Sequence, residues 1–315
     1  MQKGLVIKST GSWYQVKSEA NEIVECRIKG KFRLKGIDTT NPIAVGDQVE
    51  FEMIEDGTGV IKTIEPRKNY IIRKSVNLSK KAHIIASNID QAFLIVTLKN
   101  PQTYPSFIDR FLVSAEAYDI PVTLLFNKID LLDTKEREEL NQLIGIYEAI
   151  GYACLSISVK ENENIDPIKE EFKNKSSVIG GHSGVGKSSL INALDPNLDI
   201  RVGEISDSHK QGKHTTTFAE MHELNFGGYI IDTPGIRGLG LVDIEKENLA
   251  HYYPEMAELM HACKFHNCVH INEPKCAIKE AVDEGEISIS RYNTYLSLYH
   301  ENDDENYREN LYGPK

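Results

Sequence analysis

The sequence predicts an α/β protein in three parts: a small N-terminal β-barrel, a mainly parallel α/β sheet, and a helical C-terminal segment. Three observations carry this. Residues 1–66 alternate apolar and polar side chains between Gly- and Asp-containing turns, without a helical period. From about residue 90, apolar strands take turns with amphipathic helices, the pattern of a sheet with crossover connections. Beyond about residue 240 the pattern is helical around a cluster of cysteine and histidine. The expected limits of the parts are 1–66, 67–240 and 241–315.

In chain order, "KGLVIKS", "SWYQVKS", "EIVECRIKG", "VGDQVEFEMI" and "GTGVIKTIEP" read as the strands of a barrel of about five. Pro66 closes the barrel, and "RKNYIIRKS" reads as a basic connector. "QAFLIVTL" carries an unbroken apolar run from Ala92 to Val96, as expected of a strand buried on both faces. "SFIDRFLVSAEAY" follows as a helix, "IPVTLLFN" as a strand, "TKEREELNQLIGIYEAI" as an amphipathic helix and "YACLSIS" as a strand. "SSVIGG" then leads through a Gly-rich loop into the helix "KSSLINAL", and "FAEMHELNF" with "GYIIDTPG" forms a hairpin-like pair.

Composition sets bounds on function. At 315 residues and 40% hydrophobic, the chain suits a globular protein of two or three domains. No apolar run has the length needed to span a bilayer, and the first residues alternate like a strand rather than a secretory signal. A cytoplasmic, monomeric protein without membrane contact is expected. Five cysteines do not make a disulfide framework, and three of them sit together near the C-terminus. The net charge of −11 opposes a nucleic-acid partner for the chain as a whole. The charge is uneven, however: residues 1–81 hold 15 Lys and Arg against 10 Asp and Glu, a net of +5 that leaves −16 for the rest.

The most specific motif runs from Gly181 through His182, Ser183, Gly184, Val185 and Gly186 to Lys187, Ser188 and Ser189. It fits Gly-x4-Gly-Lys-Ser/Thr between a strand and a helix. Glycines let backbone N–H groups turn inward to cradle phosphates, and the following helix adds its positive N-terminal end. Lys187 would reach the β- and γ-phosphates, and the Ser188 hydroxyl would ligate Mg²⁺. Downstream, Asp232 ends an apolar strand, where it would hold Mg²⁺ through water, and the Gly235 N–H would sense the γ-phosphate. Between them "GKHTTT" offers threonines that could ligate Mg²⁺ only in the triphosphate state, Thr216 or Thr217 among them.

A second motif lies about fifty residues earlier. Asn127-Lys128-x-Asp130 ends an apolar strand, where a ligand-facing loop of an α/β sheet belongs. Asp130 could accept from guanine N1–H and the exocyclic amine, donors that adenine lacks there. Asn127 would tie loops together and the Lys128 stem would cover the base. The next strand is followed by Ser158-Val159-Lys160, which is similar to a Ser-Ala-Lys loop whose backbone N–H contacts guanine O6. Base loops precede the phosphate loop, so the parts of a guanine-nucleotide sheet would be visited in circularly permuted order. Near the C-terminus, Cys263-x4-Cys268-x-His270-x5-Cys276 supplies three thiolates and an imidazole, the donor set of a closed structural Zn²⁺ site. His261 and His266 lie close enough to compete in that assignment. Cys26 and Cys154 sit in strand patterns and read as packed thiols.

The permuted order, "NPIAVGDQVEF", "PRKNYIIRKS", "GHSGVGKSSLINAL", "GKHTTT" and the cysteine-rich region through "GEISISRY" together resemble the RsgA/YjeQ family over nearly the whole chain. The resemblance implies an OB-type barrel, a circularly permuted P-loop GTPase domain and a zinc subdomain. It also implies hydrolysis of GTP to GDP stimulated by the small ribosomal subunit during its late maturation. Two positions fit less well. Many GTPases place a water-orienting Gln just after Asp-x-x-Gly, but Ile236 stands here. Family members can carry a Trp-His pair a few residues later, where this chain reads Val242-Asp243. His214, Asp243 or ribosomal RNA would have to supply the missing function. "RIKGKFRLKG" presents Arg27, Lys29, Lys31, Arg33 and Lys35 with Phe32, a composition able to hold RNA backbone and stack a base. Two other readings compete: a GTP-dependent RNA-binding module with negligible hydrolysis, and a P-loop kinase acting on a small molecule, which would have no use for a guanine-reading loop.

Overall fold

A computed structural model describes residues 1–28, 42–74, 82–198, 219–232 and 244–301. The five N-terminal strands are present as β1 (Gln2–Ser9), β2 (Tyr14–Ser18), β3 (Ile23–Ile28), β4 (Gln48–Met53) and β5 (Gly59–Ile64). They run in the order β1-β2-β3-β5-β4, and β4 pairs back onto β1, which closes the barrel. Strand alternation decides the interior. Val16, Val24, Cys26, Phe51 and Ile61 are buried together, while the intervening Glu25 and Glu52 stay exposed.

The segment after the barrel departs from expectation. The basic connector contains β6 (Tyr70–Lys74), which pairs antiparallel with β7 (Ala82–Ser87). Lysine and arginine at both ends of "RKNYIIRKS" hid a short apolar centre in which Ile71 is buried. The barrel is fastened to this ribbon through Asp47, which is fully buried. Arg67 donates from Nε and Nη2 to its two oxygens at 2.7 and 2.6 Å, Ser87 Oγ donates at 2.6 Å, and the Ala44 N–H at 2.8 Å. A carboxylate without water needs this much pairing.

The α/β part contains β8 (Gln91–Val96), β9 (Val122–Phe126), β10 (Ala153–Ser156), β11 (Ser176–Gly180), β12 (Glu220–Glu223) and β13 (Tyr229–Asp232). The order is β10-β9-β8-β11-β13-β12, parallel except for the β12–β13 hairpin. Both faces are covered, which explains the unbroken apolar run of β8. On one face Leu94 and Val96 pack with Phe107 and Phe111 of α1 (Pro105–Ala117) and with Leu140 and Tyr147 of α2 (Thr134–Glu148). On the other, Phe93 and Ile95 meet α3 (Ile165–Phe172) and α4 (Lys187–Leu194). Helix α3 is an addition to the expected elements. Its Ile165, Ile168 and Phe172 have helical spacing, but the turn-forming "ENEN" ahead of them obscured it.

Strand β12 also pairs antiparallel with β1, with Lys8 opposite Glu220, so barrel and α/β part share one sheet of eleven described strands. A Lys8–Glu220 ion pair at 2.9 Å crosses that seam. The C-terminal segment is helical, with α5 (Pro254–Leu259), α6 (Ala277–Glu284) and α7 (Ile289–His300). Among the described residues no helix is long and apolar enough to cross a membrane.

Candidate nucleotide-binding site and metal centre

Because β8, β9, β10, β11 and β13 are parallel, the loops that follow them open on one edge of the sheet. Ligands of open α/β sheets bind at such an edge, where the strand order reverses. Here the reversal falls at β8, which has β9 on one side and β11 on the other. The loops after β9, β10 and β11 carry Asn127 to Asp130, Ser158 to Lys160 and Gly181 to Gly186.

These loops are joined by one side chain. Asn127, almost wholly buried, donates from Nδ2 to the Val185 carbonyl at 2.8 Å and accepts from the Val159 N–H at 3.2 Å. Its own N–H reaches the Val96 carbonyl at 2.8 Å. Gly186 must be glycine here: its φ is +105°, and a Cβ would stand 2.5 Å from Asn127 Nδ2. The Lys128 ammonium donates to the carbonyls of Gly184, at 2.7 Å, and Asn100. Burial lowers the Lys128 pKa and Asp130 opposes that shift. Asp130 accepts from Ser158 Oγ at 2.6 Å, and Lys160 Nζ stands 3.9 Å from its other oxygen. Ser158 Oγ in turn accepts from the Glu161 N–H at 3.2 Å, so the carboxylate is held in one orientation.

In the phosphate loop, Lys187 Nζ donates to the carbonyls of Gly181 and His182 at 2.7 and 2.6 Å. Its ammonium therefore lies over the loop it would serve. Ser188 is buried in the first turn of α4, and the apolar side of that helix, Leu190, Ile191 and Leu194, anchors in the core. Ser183 and Gly184 at the loop tip are exposed. Asp232 ends β13 opposite Glu220, beside the loop-bearing strand β11. Thr216, Thr217, His214, Gly235, Ile236 and Asp243 lie outside the described residues. So do Lys29, Lys31, Phe32, Arg33 and Lys35; Arg27 is described, with its guanidinium 5.8 Å from the exposed Trp13 ring. The Asn100 carbonyl as a partner of Lys128 escaped the sequence reading. The Asn-Pro pair that places it is a turn signal, but nothing in it points to a lysine far along the chain.

Cys263, Cys268, His270 and Cys276 bring their donor atoms within 4.8 Å of one another. Cys263 Sγ lies 3.6 Å from His270 Nδ1 and 4.0 Å from Cys276 Sγ, and His270 Nδ1 lies 3.4 Å from Cys276 Sγ. Tetrahedral ligands at Zn–S and Zn–N lengths would stand about 3.5–3.8 Å apart, so the set fits Zn²⁺. His261 and His266 are exposed and outside the cluster. Cys26 is buried in the barrel and Cys154 half-buried, as packed thiols. The Cys268–Cys276 loop is braced by Glu273, which accepts from the N–H groups of Val269, Ile271 and Asn272 at 3.0, 2.9 and 3.1 Å. The hydroxyls of Tyr292 and Tyr295 on α7 donate to the carbonyls of His270 and Val269, both at 2.7 Å.

Comparison with known proteins agrees with this geometry. The profile of the RsgA GTPase matches residues 64–242, and that of the RsgA N-terminal domain matches residues 3–61. A Christiangramia forsetii protein named small ribosomal subunit biogenesis GTPase RsgA is 57% identical over 313 residues, covering 98% of this chain and 99% of its own length. A Bacteroides fragilis protein of the same name is 54% identical, covering 97% and 99%. Among solved structures, YjeQ from Thermotoga maritima superposes with a TM-score of 0.77 at 37% identity, covering 95% of this chain and 97% of that one. YloQ, described as a circularly permuted GTPase, gives 0.74 at 31%, covering 95% and 94%. The Asn127–Asp130 and Ser158–Lys160 loops precede the Gly181–Gly186 loop in sequence yet meet it through Asn127, and with relatives matched over nearly the whole chain this leads to one conclusion: this chain belongs to the RsgA family of circularly permuted GTPases.

Proposed function

We propose that the chain hydrolyses GTP to GDP and phosphate when bound to the small ribosomal subunit, and assists late maturation of that subunit in the cytoplasm, as a monomer. The observation that carries the nucleotide part is the Asn127 side chain, bonded both to the phosphate loop and to the Ser158–Lys160 loop. Asn127 thereby ties the proposed base pocket to the phosphate pocket, with the Lys128 bond to the Gly184 carbonyl as a second link. The relatives' shared name supports the partner. The domain limits we assign are 1–66 for the barrel, 67–240 for the GTPase domain and 241–315 for the zinc domain.

In this reading Asp130, held by Ser158, accepts from guanine N1–H and the exocyclic amine, and the Lys128 stem covers the base. The Val159 N–H is engaged by Asn127 over a long bond, which guanine O6 can share. Backbone N–H groups from Gly181 to Ser189 surround the phosphates, and Lys187 leaves its two loop carbonyls for the β- and γ-oxygens. Mg²⁺ would be held by Ser188, by Thr216 or Thr217, and by Asp232 through water; when bound it neutralises charge on the leaving phosphate. Cys263, Cys268, His270 and Cys276 would hold a structural Zn²⁺ with no open position. With Ile236 unable to polarise water, the subunit completes the site, with His214 and Asp243 as the chain's own contributors. Arg27, Lys29, Lys31, Phe32, Arg33 and Lys35 would contact rRNA.

Co-sedimentation tests this directly. The chain should pellet with small subunits, and not with large ones, in a non-hydrolysable GTP analogue, and far less in the matching ATP analogue. Equal pelleting in both analogues would refute guanine control of docking.

A further inference from the structure

Helix α1 has two working faces. Phe107 and Phe111, one turn apart, face the phosphate loop. The Phe107 ring stacks on His182 with 3.8 Å between centroids and 30° between planes. Phe111 lies so close to Gly180, just before the loop, that a Cβ there would fall on its ring. Ahead of the helix, Pro101 stands 3.5 Å from where a Cβ on Gly184 would sit. These contacts run along the loop from its entry to its tip.

The opposite face of α1 belongs to the C-terminal helices. Asp109, fully buried, accepts from Arg291 Nη1 of α7 at 2.8 Å and from the Tyr147 hydroxyl at 2.9 Å. Arg291 is itself buried and donates from Nε and Nη2 to Glu255 of α5 at 2.8 and 3.0 Å. On the flank between the two faces, Arg110 Nη2 donates to both oxygens of Glu301, just past α7, at 2.7 and 2.6 Å. Val113, on the same side as Asp109, is part of the apolar cluster that holds Leu249, Tyr253 and Tyr295.

A glycine-rich loop has many conformations, and phosphate recognition by its N–H groups requires one of them. Whatever restricts the loop beforehand lowers the ordering cost of binding. His182 stands within the loop, yet its ring packs on the helix behind it. We propose that Phe107 and His182 are positioning residues for the guanine nucleotide, seating the phosphate loop on α1, and that the C-terminal helices hold α1 in that place. The proposal rests on the nucleotide reading above and deepens it: His182 backs the loop, and the zinc-bearing segment reaches the phosphates through one helix.

The test is equilibrium binding of N-methylanthraniloyl-GDP to the full chain and its variants, with zinc content and Tm as checks of folding. Phe107→Ala and His182→Ala should each weaken binding about three- to tenfold, the worth of one aromatic pair. The double variant should lose no more than either single one, and Phe107→Tyr and His182→Phe should retain near-wild-type affinity. Glu301→Gln should weaken binding about twofold, as a partly exposed ion pair would. With small subunits present, KM for GTP should rise with kcat nearly unchanged, because neither ring touches a reacting atom. Folded single variants with wild-type affinity, or a double variant whose losses multiply, would overturn the pair. An unaltered Glu301→Gln would overturn the role of the C-terminal helices. Should Phe107→Ala not fold, His182→Ala against His182→Phe decides the question alone. A wild-type chain that does not bind the fluorescent GDP would refute the nucleotide reading instead.

Discussion

At the residue scale, Asp130 shows how chemistry and local geometry converge. One of its oxygens takes the Ser158 hydroxyl, which fixes the carboxylate plane, and further lone pairs remain for a base. Asp130→Asn puts an amide donor where guanine also presents donors. Loss of two hydrogen bonds to a charged group predicts at least about 100-fold weaker GDP binding. Xanthosine diphosphate, with a carbonyl at that edge, should gain affinity; competition between the two nucleotides measures both effects. The meeting of Asn127, Asp130 and the Gly181–Gly186 loop at one sheet edge was legible in the sequence because each of these loops directly follows an apolar strand. Arg291 was not. Its carboxylate partners lie 182 and 36 positions away, and no local pattern marks an arginine that the fold will bury.

At the element scale, helix α2 begins with a capping box. The Glu136 N–H donates to Asp133 Oδ1, and the Asp133 N–H donates back to Glu136 Oε2, both at 2.9 Å. The hydrogen bond from Lys99, with the Asp133 N–H second, holds the Glu136 carboxyl below its ordinary pKa. A carboxylate depressed in the folded state stabilises fully above its unfolded pKa, about 4.3, and loses that contribution as pH falls through the lower folded value. Glu136→Gln should therefore lower the urea midpoint at pH 7, and the gap to the parent chain should close as pH falls below the ordinary carboxylate range. The Cys268–Cys276 loop, with its proposed metal site, makes the other element-scale prediction. Cys276→Ser removes one of four donors just ahead of α6, and α7 leans on the same loop through Tyr292 and Tyr295. Metal analysis should find about one zinc per parent chain and far less in the variant, with a loss of helical circular dichroism. Elements were readable where one pattern dominated, as in β8 or the Cys-x4-Cys-x-His-x5-Cys spacing. Strand β6 and helix α3 were hidden because flanking lysine and arginine, or flanking asparagine, outweighed three apolar positions.

At the scale of the whole molecule, the barrel, the permuted sheet and the C-terminal helices are bound together rather than strung in series. Strand β1 extends the sheet through β12, Asp47 and Arg67 fasten the barrel to the β6–β7 ribbon, and Arg291 locks α7 onto α1. The three-part division was visible as changes of hydrophobic period along the chain. These joints were not, because each unites side chains whose pairing only the tertiary fold creates. In the function proposed above, such joints would let a partner that grips the outer parts act on the nucleotide between them. In the proposed function, a small ribosomal subunit completes this GTPase. The most direct measurement is phosphate release from GTP by the full chain alone, with small subunits and with large subunits, using Lys187→Ala as the blank. A slow basal rate that rises strongly with small subunits only is the predicted result. A rate unmoved by small subunits, or raised equally by large ones, would contradict the account.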